Sequence, residues 1–522
     1  MGDGSLPCYH RQAVLGLLVA YFACLAILAF ACVVRLGLAV GSICFRDRAP
    51  PPSRERIPVL VQLPIFNERY VAERLLRAVA AQDHLGTVIQ VLDDSTDDTR
   101  QVVDRVAESL RKRGTDIRVV RRGDRKGYKA GALARGLELA PGFEFVAIFD
   151  ADFVPPPEFV RRALAALRES PDVGLVQARW GHLNRDRSLL TRAQAVFLDG
   201  HFQVEHAGRA ALGHFFNFNG TAGIWRRRAI EDAGGWSSDT ITEDLDLSIR
   251  AQLRGWRFRY LGDLVADAEL PASTDAFLSQ QARWVRGSVE TARKHLMTFL
   301  LPRSGLGLGV RLGATFHLIQ NFAYVLMALV AVLLPAAVVL RDRTGWRIVG
   351  GEALWSSLDL TFLLSGTLAV FVFYGVGLVG AGAGRRWPDI FAALALGAGM
   401  SVANAREVWS GLWSRGSEFV RTPKQGEAGL HALQRYRRPI PWSRFVPELT
   451  LAGLHGAACV YASVWGLWGA VPFLAIHLVG FGWLGGATAM AALRDGWGTR
   501  PGWAARQSGT EGGPSPSGGR AK

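Results

Sequence analysis

Long apolar stretches flank one extended segment in which apolar and polar residues are mixed. Five stretches carry hardly any charge and are each long enough to cross a bilayer as a helix: residues 14–36, 312–340, 358–383, 449–470 and 471–493. The first is too long for a secretory signal and lacks a small-residue cleavage site, so we expect it to remain as an anchor. The pattern predicts an integral membrane protein with a soluble insert.

The insert, residues 57–298, is predicted to alternate strands and helices. The predicted elements alternate strand and helix up to the last two, which are both strands: 58–63, 73–81, 88–92, 99–113, 117–120 and 145–149. A β-α-β-α order implies a mostly parallel sheet that is covered on both faces. The expected fold class is a doubly wound α/β domain joined to an α-helical transmembrane bundle.

Two carboxylates, Asp150 and Asp152, follow the apolar run 145–149. Side chains of a strand alternate faces, so both should point to the same side at its carboxyl end, where open α/β sheets bind ligands. Two close carboxylates repel unless a cation lies between them or one of them takes a proton, and an oxygen pair suits Mg²⁺ or Mn²⁺. A solvated turn after the strand is the alternative interpretation.

Acidic side chains also follow the predicted strand at 88–92. Asp93 and Asp94 lie where a nucleotide base, a ribose or a metal is held in such sheets. The alternative is a cap for the next helix, for which Asp97 or Asp98 is suited, and both interpretations can hold together.

Two further segments suit a nucleotide ligand. Asn67 and Glu68 follow the first strand and are candidates either for ligand contact or for helix capping. The basic, glycine-punctuated turn at 126–133 leads into a helix, and glycines and a helix N-terminus together suit a pyrophosphate. The turn lacks the Gly-Lys-Ser/Thr ending of a Walker A loop.

Residues 240–247 place acids at the start of a predicted helix. Thr242 is a candidate N-cap, and Glu243 and Asp246 complement the helix dipole. Asp244 is instead a candidate base that removes a proton from a hydroxyl group.

A helix-like run near residue 280 carries a second set of candidates. Trp284 offers a stacking platform for a sugar ring and Arg283 a clamp for phosphate, although a tryptophan taken singly is more often part of a core.

The net charge of +15 points to a membrane surface. Many of the arginines lie beside the apolar stretches: Arg46, Arg48, Arg54, Arg56, Arg385, Arg386, Arg435, Arg437, Arg438 and Arg444. This placement follows the positive-inside rule, so we expect acidic lipid head groups rather than nucleic acid as the partner, and a cytoplasmic insert. The five cysteines form no metal or disulfide pattern.

Four segments occur in one recognisable order. They resemble the D, DxD, TED and QxxRW signature of processive family 2 glycosyltransferases, the group of cellulose, chitin and hyaluronan synthases: Asp93-Asp94-Ser95, Asp150-Ala151-Asp152, Thr242-Glu243-Asp244 and Gln280-x-x-Arg283-Trp284. Longer strings at 90–96, 127–133, 176–180 and 218–223 look most like cellulose-synthase-like A and C proteins, makers of β-mannan and β-glucan backbones, and their bacterial relatives. The resemblance is dense from residue 58 to residue 284.

The resemblance implies a GT-A fold and an inverting transfer from a nucleotide sugar, GDP-mannose or UDP-glucose, to a growing β-linked polysaccharide. In that scheme Asp93 and Asp94 hold the nucleotide, and Lys129 touches the diphosphate. Asp150 and Asp152 position the same diphosphate through Mg²⁺ or Mn²⁺.

For the acceptor, the resemblance makes Asp244 the base that deprotonates the attacking hydroxyl. Gln280, Arg283, Trp284 and Glu243 bind the acceptor end and the pyrophosphate. Ceramide glucosyltransferase shares the signature, so transfer of one sugar to a lipid is the enzymatic alternative, and a non-catalytic scaffold is the other.

The expected domains are an anchor at 1–45, a cytoplasmic catalytic domain at 46–298, transmembrane and interfacial helices at 299–493 with a cytoplasmic loop at 405–448, and a disordered basic tail at 494–522. This organisation suits a multi-pass protein of a bacterial inner membrane, or of the Golgi or plasma membrane in a eukaryote.

Two segments of the membrane half differ from the long apolar stretches. The apolar run 391–404 is short for a span, so we expect it to lie flat on the cytoplasmic face. Residues 418–424 resemble the FxVTxK gating loop of cellulose synthase, which makes Phe419, Thr422 and Lys424 candidate gating residues. A solvated basic linker is the alternative.

Overall fold

The computed structural model describes residues 8–45, 51, 55–302, 305–344, 357–358, 360–413 and 441–496. The predicted gating residues Phe419, Thr422 and Lys424, and the tail beyond residue 496, lie outside the described residues. The strands of the described part are β1 Val59–Ile65, β2 Thr87–Asp93, β3 Ile117–Val120, β4 Phe145–Ile148, β5 Phe153–Val154, β6 Val173–His182, β7 Gly223–Arg226 and β8 Arg257–Ala268.

Each described α-helix either precedes β8 in the chain or follows it. Those up to β8 are α1 Cys8–Cys44, α2 Ala72–Ala80, α3 Thr99–Lys112, α4 Tyr128–Glu138, α5 Phe159–Arg168, α6 Leu189–Gly200, α7 Ala207–Ala211, α8 Arg227–Asp232 and α9 Glu243–Leu253. Those after β8 are α10 Thr274–Leu300, α11 Leu308–Ile319, α12 Ala323–Thr344, α13 Ala369–Gly380, α14 Asp389–Gly399, α15 Ser401–Trp413, α16 Val446–Val464 and α17 Val471–Gly496.

The eight strands of the described residues form one sheet in the order β3-β2-β1-β4-β7-β6-β8-β5. β1 runs parallel to β2 and β4, and β2 runs parallel to β3. β7 runs antiparallel to both β4 and β6, and β5 runs antiparallel to β8. The α/β fold is confirmed, with a mixed sheet in which the strands predicted from sequence form the parallel half.

The alternation of side chains along β1 explains why helices cover both faces of the sheet. Val59, Val61 and Leu63 belong to one buried core, whereas Leu60 belongs to another on the opposite face. Apolar residues of α2, α3 and α5 complete the first core, and those of α4 and α9 complete the second. Because helices cover both faces, a ligand can reach this sheet at the ends of its strands.

Four helices of the described residues are long and apolar enough to cross a membrane: Gln12–Cys44, Leu308–Asp342, Leu360–Gly380 and Val471–Arg494. They correspond to four of the five predicted spans. The remaining one, 449–470, overlaps α16, which has 19 residues but falls outside this set. Glu448 and His455 lower its mean hydropathy, so the five-span prediction is not supported at this helix.

The segment predicted to lie flat on the membrane forms α14 and the start of α15. Ile390, Ala393 and Leu396 of α14 are buried in a core that also contains residues of α6 and α17. A Cβ added at Gly480 of α17 would lie 2.0 Å from the carbonyl oxygen of Ala395, so the two helices meet backbone to backbone. The depth of α14 in a bilayer stays a prediction.

Helix α10 connects the α/β domain to the membrane helices. It runs to Leu300, past the predicted domain boundary at 298. Arg286 donates to Glu407 of α15 with 2.6 Å between Nη2 and Oε2, and Arg293 donates to the carbonyl oxygen of Gly411 at 3.0 Å. Helix α10 is therefore held at α15 from its middle onward, while Gly287 packs against Thr242 at the start of α9.

Candidate functional site

A cleft opens at the carboxyl ends of β1, β2 and β4, where the sequence predicted the ligand site. The starts of α4 and α9 and one face of α10 complete its walls. The predicted site residues that line it are Asp94, Lys129, Asp150, Asp152, Glu243, Asp244, Gln280, Arg283 and Trp284. Five different elements bring these side chains together.

Asp150 and Asp152 lie in the turn between β4 and β5, not in a strand. Their shared direction therefore does not follow from strand alternation, and that part of the prediction is wrong. The turn is held by the amide of Phe153, which donates to the carbonyl oxygen of Asp150 at 3.1 Å, and by the Thr221 hydroxyl, which accepts from the Asp150 amide at 2.9 Å. Both carboxylates line the cleft.

Lys129 lies in the first turn of α4, where it supplies a positive charge to the cleft. Its ammonium group donates to Oδ1 of Asp150 at 2.5 Å and to the carbonyl oxygen of Gly220 at 2.8 Å. Burial lowers the pKa of Lys129, but the carboxylates of Asp150 and Glu243 outweigh burial and raise it. Lys129 is therefore a fixed cation.

Gly220 lets three elements of the site approach each other. Its φ of +79° is a left-handed conformation, and a Cβ there would lie 2.8 Å from Oδ2 of Asp244 and 3.3 Å from the ammonium nitrogen of Lys129. Only glycine combines this backbone with this contact. The resemblance included this residue without assigning it a role.

Glu243 and Asp244 begin α9 and point into the cleft. Burial and then the neighbouring Asp244 raise the pKa of Glu243 to about 7. Burial raises the pKa of Asp244 to about 6, against the attraction of Lys129. A carboxyl group with such a pKa can exchange a proton near neutral pH, which is what a general base requires.

The neighbours of this pair have structural roles. Thr242 is at the N-cap position, but its hydroxyl lies 3.1 Å from that of Thr291, so the predicted capping hydrogen bond is replaced by a contact to α10. Asp246 is fully buried and contacts His295 at 2.7 Å and Lys294 at 2.8 Å. Burial raises its pKa, but these two partners and Arg250 hold it well below the usual range.

Helix α10 contributes the cation on the opposite wall. Burial lowers the pKa of the Arg283 guanidinium, and the charges of Asp150 and Glu243 partly offset this effect. Trp284 and Trp180 both line the cleft, and their ring centroids lie 6.4 Å apart. A Cβ at Gly287 would lie 2.9 Å from the backbone nitrogen of Thr242, which shows how closely α10 packs against the start of α9.

At the β2 end, the two predicted nucleotide ligands differ in position. Asp94 lines the cleft and pairs with the guanidinium of Arg122. Asp93 lies behind the cleft, where its fully buried carboxylate accepts from Arg121 at 2.9 Å and from the amide of Ser95 at 3.0 Å. A direct contact between Asp93 and a nucleotide stays a prediction.

The neighbouring polar residues also differ in position, because one lines the cleft and the others make structural hydrogen bonds. Glu68 lines the cleft, whereas the side-chain oxygen of Asn67 accepts from the amide of Thr96 at 2.8 Å. Asp97 accepts from the amide of Thr99 at 2.9 Å, at the start of α3, so it has a capping role.

Several cleft residues were not predicted. The guanidinium of Arg125 lies 3.3 Å from the ring centroid of Phe66 and 5.1 Å from that of Tyr128. The three side chains form a cationic and aromatic surface beside Asp94. At the opposite end, His182 and Glu269 line the cleft. Sequence offered one signal, the string 176–180 that ends two residues before His182.

The cleft fits a divalent cation that takes part of its ligands from a substrate. Among the described residues, no group of three or more His, Cys, Asp or Glu side chains could hold a metal alone. Asp150 and Asp152 supply carboxylate oxygens on one wall, and Mg²⁺ commonly binds one or two carboxylates together with substrate phosphates. These two residues would hold the cation.

The comparisons with known proteins agree with the motifs. Residues 145–342 match the family described as Glycosyl transferase family group 2. Glucomannan 4-beta-mannosyltransferase 2 of Arabidopsis thaliana is 46% identical over 274 residues, covering 51% of this chain and 50% of that protein. Glucomannan 4-beta-mannosyltransferase 1 of Oryza sativa subsp. japonica is 45% identical over 271 residues, covering 51% of each. The resemblance to family 2 glycosyltransferases is confirmed.

The chain spans about half the length of the curated relatives it matches. One solved structure, the mannosyltransferase PcManGT from Pyrobaculum calidifontis in complex with GDP-Man and Mn2+, is 20% identical with a TM-score of 0.47, covering 72% of this chain and 98% of that chain.

Replacing Gly220 by Ala should disturb the cleft more than replacing Gly213, which has a φ of +65° and no heavy atom within 4 Å of an added Cβ. Each substitution should cost about 1 kcal/mol for the left-handed backbone. Only Gly220→Ala should also displace Asp244 and Lys129, and we expect it to weaken GDP or UDP binding about tenfold by calorimetry. Equal losses of binding in the two variants would contradict this role of Gly220.

Proposed function

We propose that this chain, which carries a family 2 glycosyltransferase domain, is a membrane-embedded, inverting β-glycosyltransferase that elongates a polysaccharide. The observation that carries the proposal is the position of Asp244, a half-buried carboxyl group with a pKa of about 6, beside Lys129 and Arg283 in one cleft. The cations suit a diphosphate leaving group, and the carboxylate suits a proton acceptor.

The donor is proposed to lie along the carboxyl ends of β1, β2 and β4. Arg125 and its two aromatic neighbours would contact the nucleotide, with Asp93 and Asp94 supporting it. Lys129 and Arg283 would contact the diphosphate. Asp150 and Asp152 would hold Mg²⁺ or Mn²⁺, which supplies positive charge to the departing diphosphate.

The reaction is proposed to be a single in-line displacement. Asp244 removes the proton of the acceptor hydroxyl as its oxygen attacks the anomeric carbon from the face opposite the diphosphate. Glu243, Gln280 and Trp284 hold the acceptor end, and Trp284 offers an aromatic face to a sugar ring. One positioned carboxylate suffices, because no covalent intermediate is formed.

The substrates and the location are proposals of the same kind. The names of the plant relatives favour a mannosyl donor, GDP-mannose, with UDP-glucose as the second candidate and a growing β-linked glycan as the acceptor. The charge pattern favours a cytoplasmic catalytic domain at 46–298 within a multi-pass protein in contact with the bilayer. The limits of the other domains are proposed to be those expected from the sequence: 1–45, 299–493 and 494–522.

The first experiment measures transfer from radiolabelled GDP-mannose and UDP-glucose with Mg²⁺, Mn²⁺ or EDTA, using the full chain in lipid. We expect long glycan product from one donor and about a hundredfold loss with EDTA, because the leaving diphosphate loses its counter-charge. Label found only in a lipid extract would replace polymer synthesis by single-sugar transfer. Absence of transfer from every nucleotide sugar would contradict the proposal.

Asp244→Asn should lower transfer by about 10³-fold, because the amide cannot accept the hydroxyl proton. The affinity for the nucleotide, measured by calorimetry, should change little. The matched control is Asp263→Asn, which removes a half-exposed carboxylate paired with Arg162 and should keep full activity. A normal turnover number in Asp244→Asn would remove this residue from the mechanism.

Transfer should also depend on pH through the same carboxyl group. With a pKa of about 6, Asp244 is about one-tenth ionised at pH 5 and about nine-tenths ionised at pH 7. The base acts only when ionised, so kcat/KM should fall about tenfold as the pH is lowered from 7 to 5. A flat profile over this range, with the protein still folded by circular dichroism, would contradict the assignment.

A further inference from the structure

An arginine lies inside the first apolar helix and faces the α/β domain. Arg35 belongs to the candidate span Gln12–Cys44. Charged residues within such helices are costly and usually have a specific partner. The partner is Glu205, with 3.3 Å between Nε of Arg35 and Oε1 of the carboxylate, whose side chain is 7% exposed.

Glu205 lies in the π-helical turn His201–His206, between α6 and α7. Such turns are rare and are concentrated at functional sites. Arg209 also faces the carboxylate, at 3.6 Å. One cation already balances the charge of Glu205, so neutralisation alone does not account for Arg35.

From Glu205 the contacts continue to the cleft. Nδ1 of His201 lies 3.1 Å from Oε2 of Glu205, and its Nε2 lies 3.0 Å from Oδ1 of Asn219. The side-chain nitrogen of Asn219 lies 2.8 Å from Nε2 of His206. Asn219 lines the cleft and precedes Gly220, whose carbonyl oxygen accepts from Lys129.

The backbone of α1 is also held against the α/β domain. A Cβ at Gly208 of α7 would lie 2.3 Å from the carbonyl oxygen of Leu38, and one at Gly41 would lie 3.4 Å from the carbonyl oxygen of Gly208. Helix α1 therefore cannot slide along α7 without displacing that helix. Arg35, one turn before Leu38, has a defined position relative to Glu205.

We propose that Arg35 is a positioning residue for the cleft: through Glu205 and His201 it holds Asn219, and with it the carbonyl oxygen of Gly220 that orients Lys129. The first membrane helix is then part of the catalytic unit as well as an anchor. This inference deepens the proposed function and rests on it for the activity measurement.

The test compares Arg35→Met, Arg35→Lys and a control, Arg341→Met, in full-length protein in lipid nanodiscs. Arg341 also lies in a candidate span and contacts α1, with its guanidinium 5.8 Å from the ring centroid of Phe22. We expect Arg35→Met to lower kcat about tenfold while KM for the donor changes less than about twofold. Arg35→Lys and Arg341→Met should retain most activity.

A second measurement separates positioning from general stability. Amide hydrogen exchange of residues 217–221 should be faster in Arg35→Met than in Arg341→Met. In an Asn219→Ala background, Arg35→Met should cause no further loss of transfer, because the path is already broken. If Arg35→Met does not fold, His201→Gln breaks the same path outside the membrane and should accelerate the same amides.

Two results would overturn the inference. One is that Arg35→Met lowers transfer by the same factor in the unmodified protein and in the Asn219→Ala variant. The other is that amide hydrogen exchange of residues 217–221 is unchanged in folded Arg35→Met or His201→Gln. The exchange experiment needs no substrate. If the unmodified protein transfers no sugar, the proposed function fails while the positioning role is still tested.

Discussion

The balance of charge inside one partly buried cleft is the constraint on which the site depends. Carboxylates from a turn after β4 and from the start of α9 face two partly buried cations, Lys129 and Arg283. Burial alone would favour the neutral carboxyl forms, and the cations oppose that tendency. The resulting pKa values, near neutrality for Glu243 and Asp244, follow from this competition.

The fold meets this constraint by bringing segments that are far apart in the sequence to the carboxyl ends of neighbouring strands. Parallel pairing of β1, β2 and β4 aligns their carboxyl ends, and two separate cores fix the helices on the two faces. Close backbone contacts then set the remaining distances. Gly220 and Gly287 leave room where α4, α9 and α10 approach each other, and any larger residue would separate the charges.

The membrane helices are joined to this arrangement by more than a covalent link. Helix α10 carries Arg283 and Trp284 into the cleft and, within the next turn, pairs through Arg286 with Glu407 of α15. Helix α14 packs against α6, and α1 packs against α7. A displacement of the apolar helices would therefore reach the cleft.

Local pattern by itself determined the α/β order, four apolar helices and the motifs, because periodicity and turn chemistry act over a few residues. Only the tertiary structure decided that Asp94 lines the cleft while Asp93 is buried behind it, and that Asp150 and Asp152 share a turn. It alone showed the contribution of Arg125 and His182. Convergence of side chains depends on how distant elements pack, and spacing along the chain carries no measure of that distance.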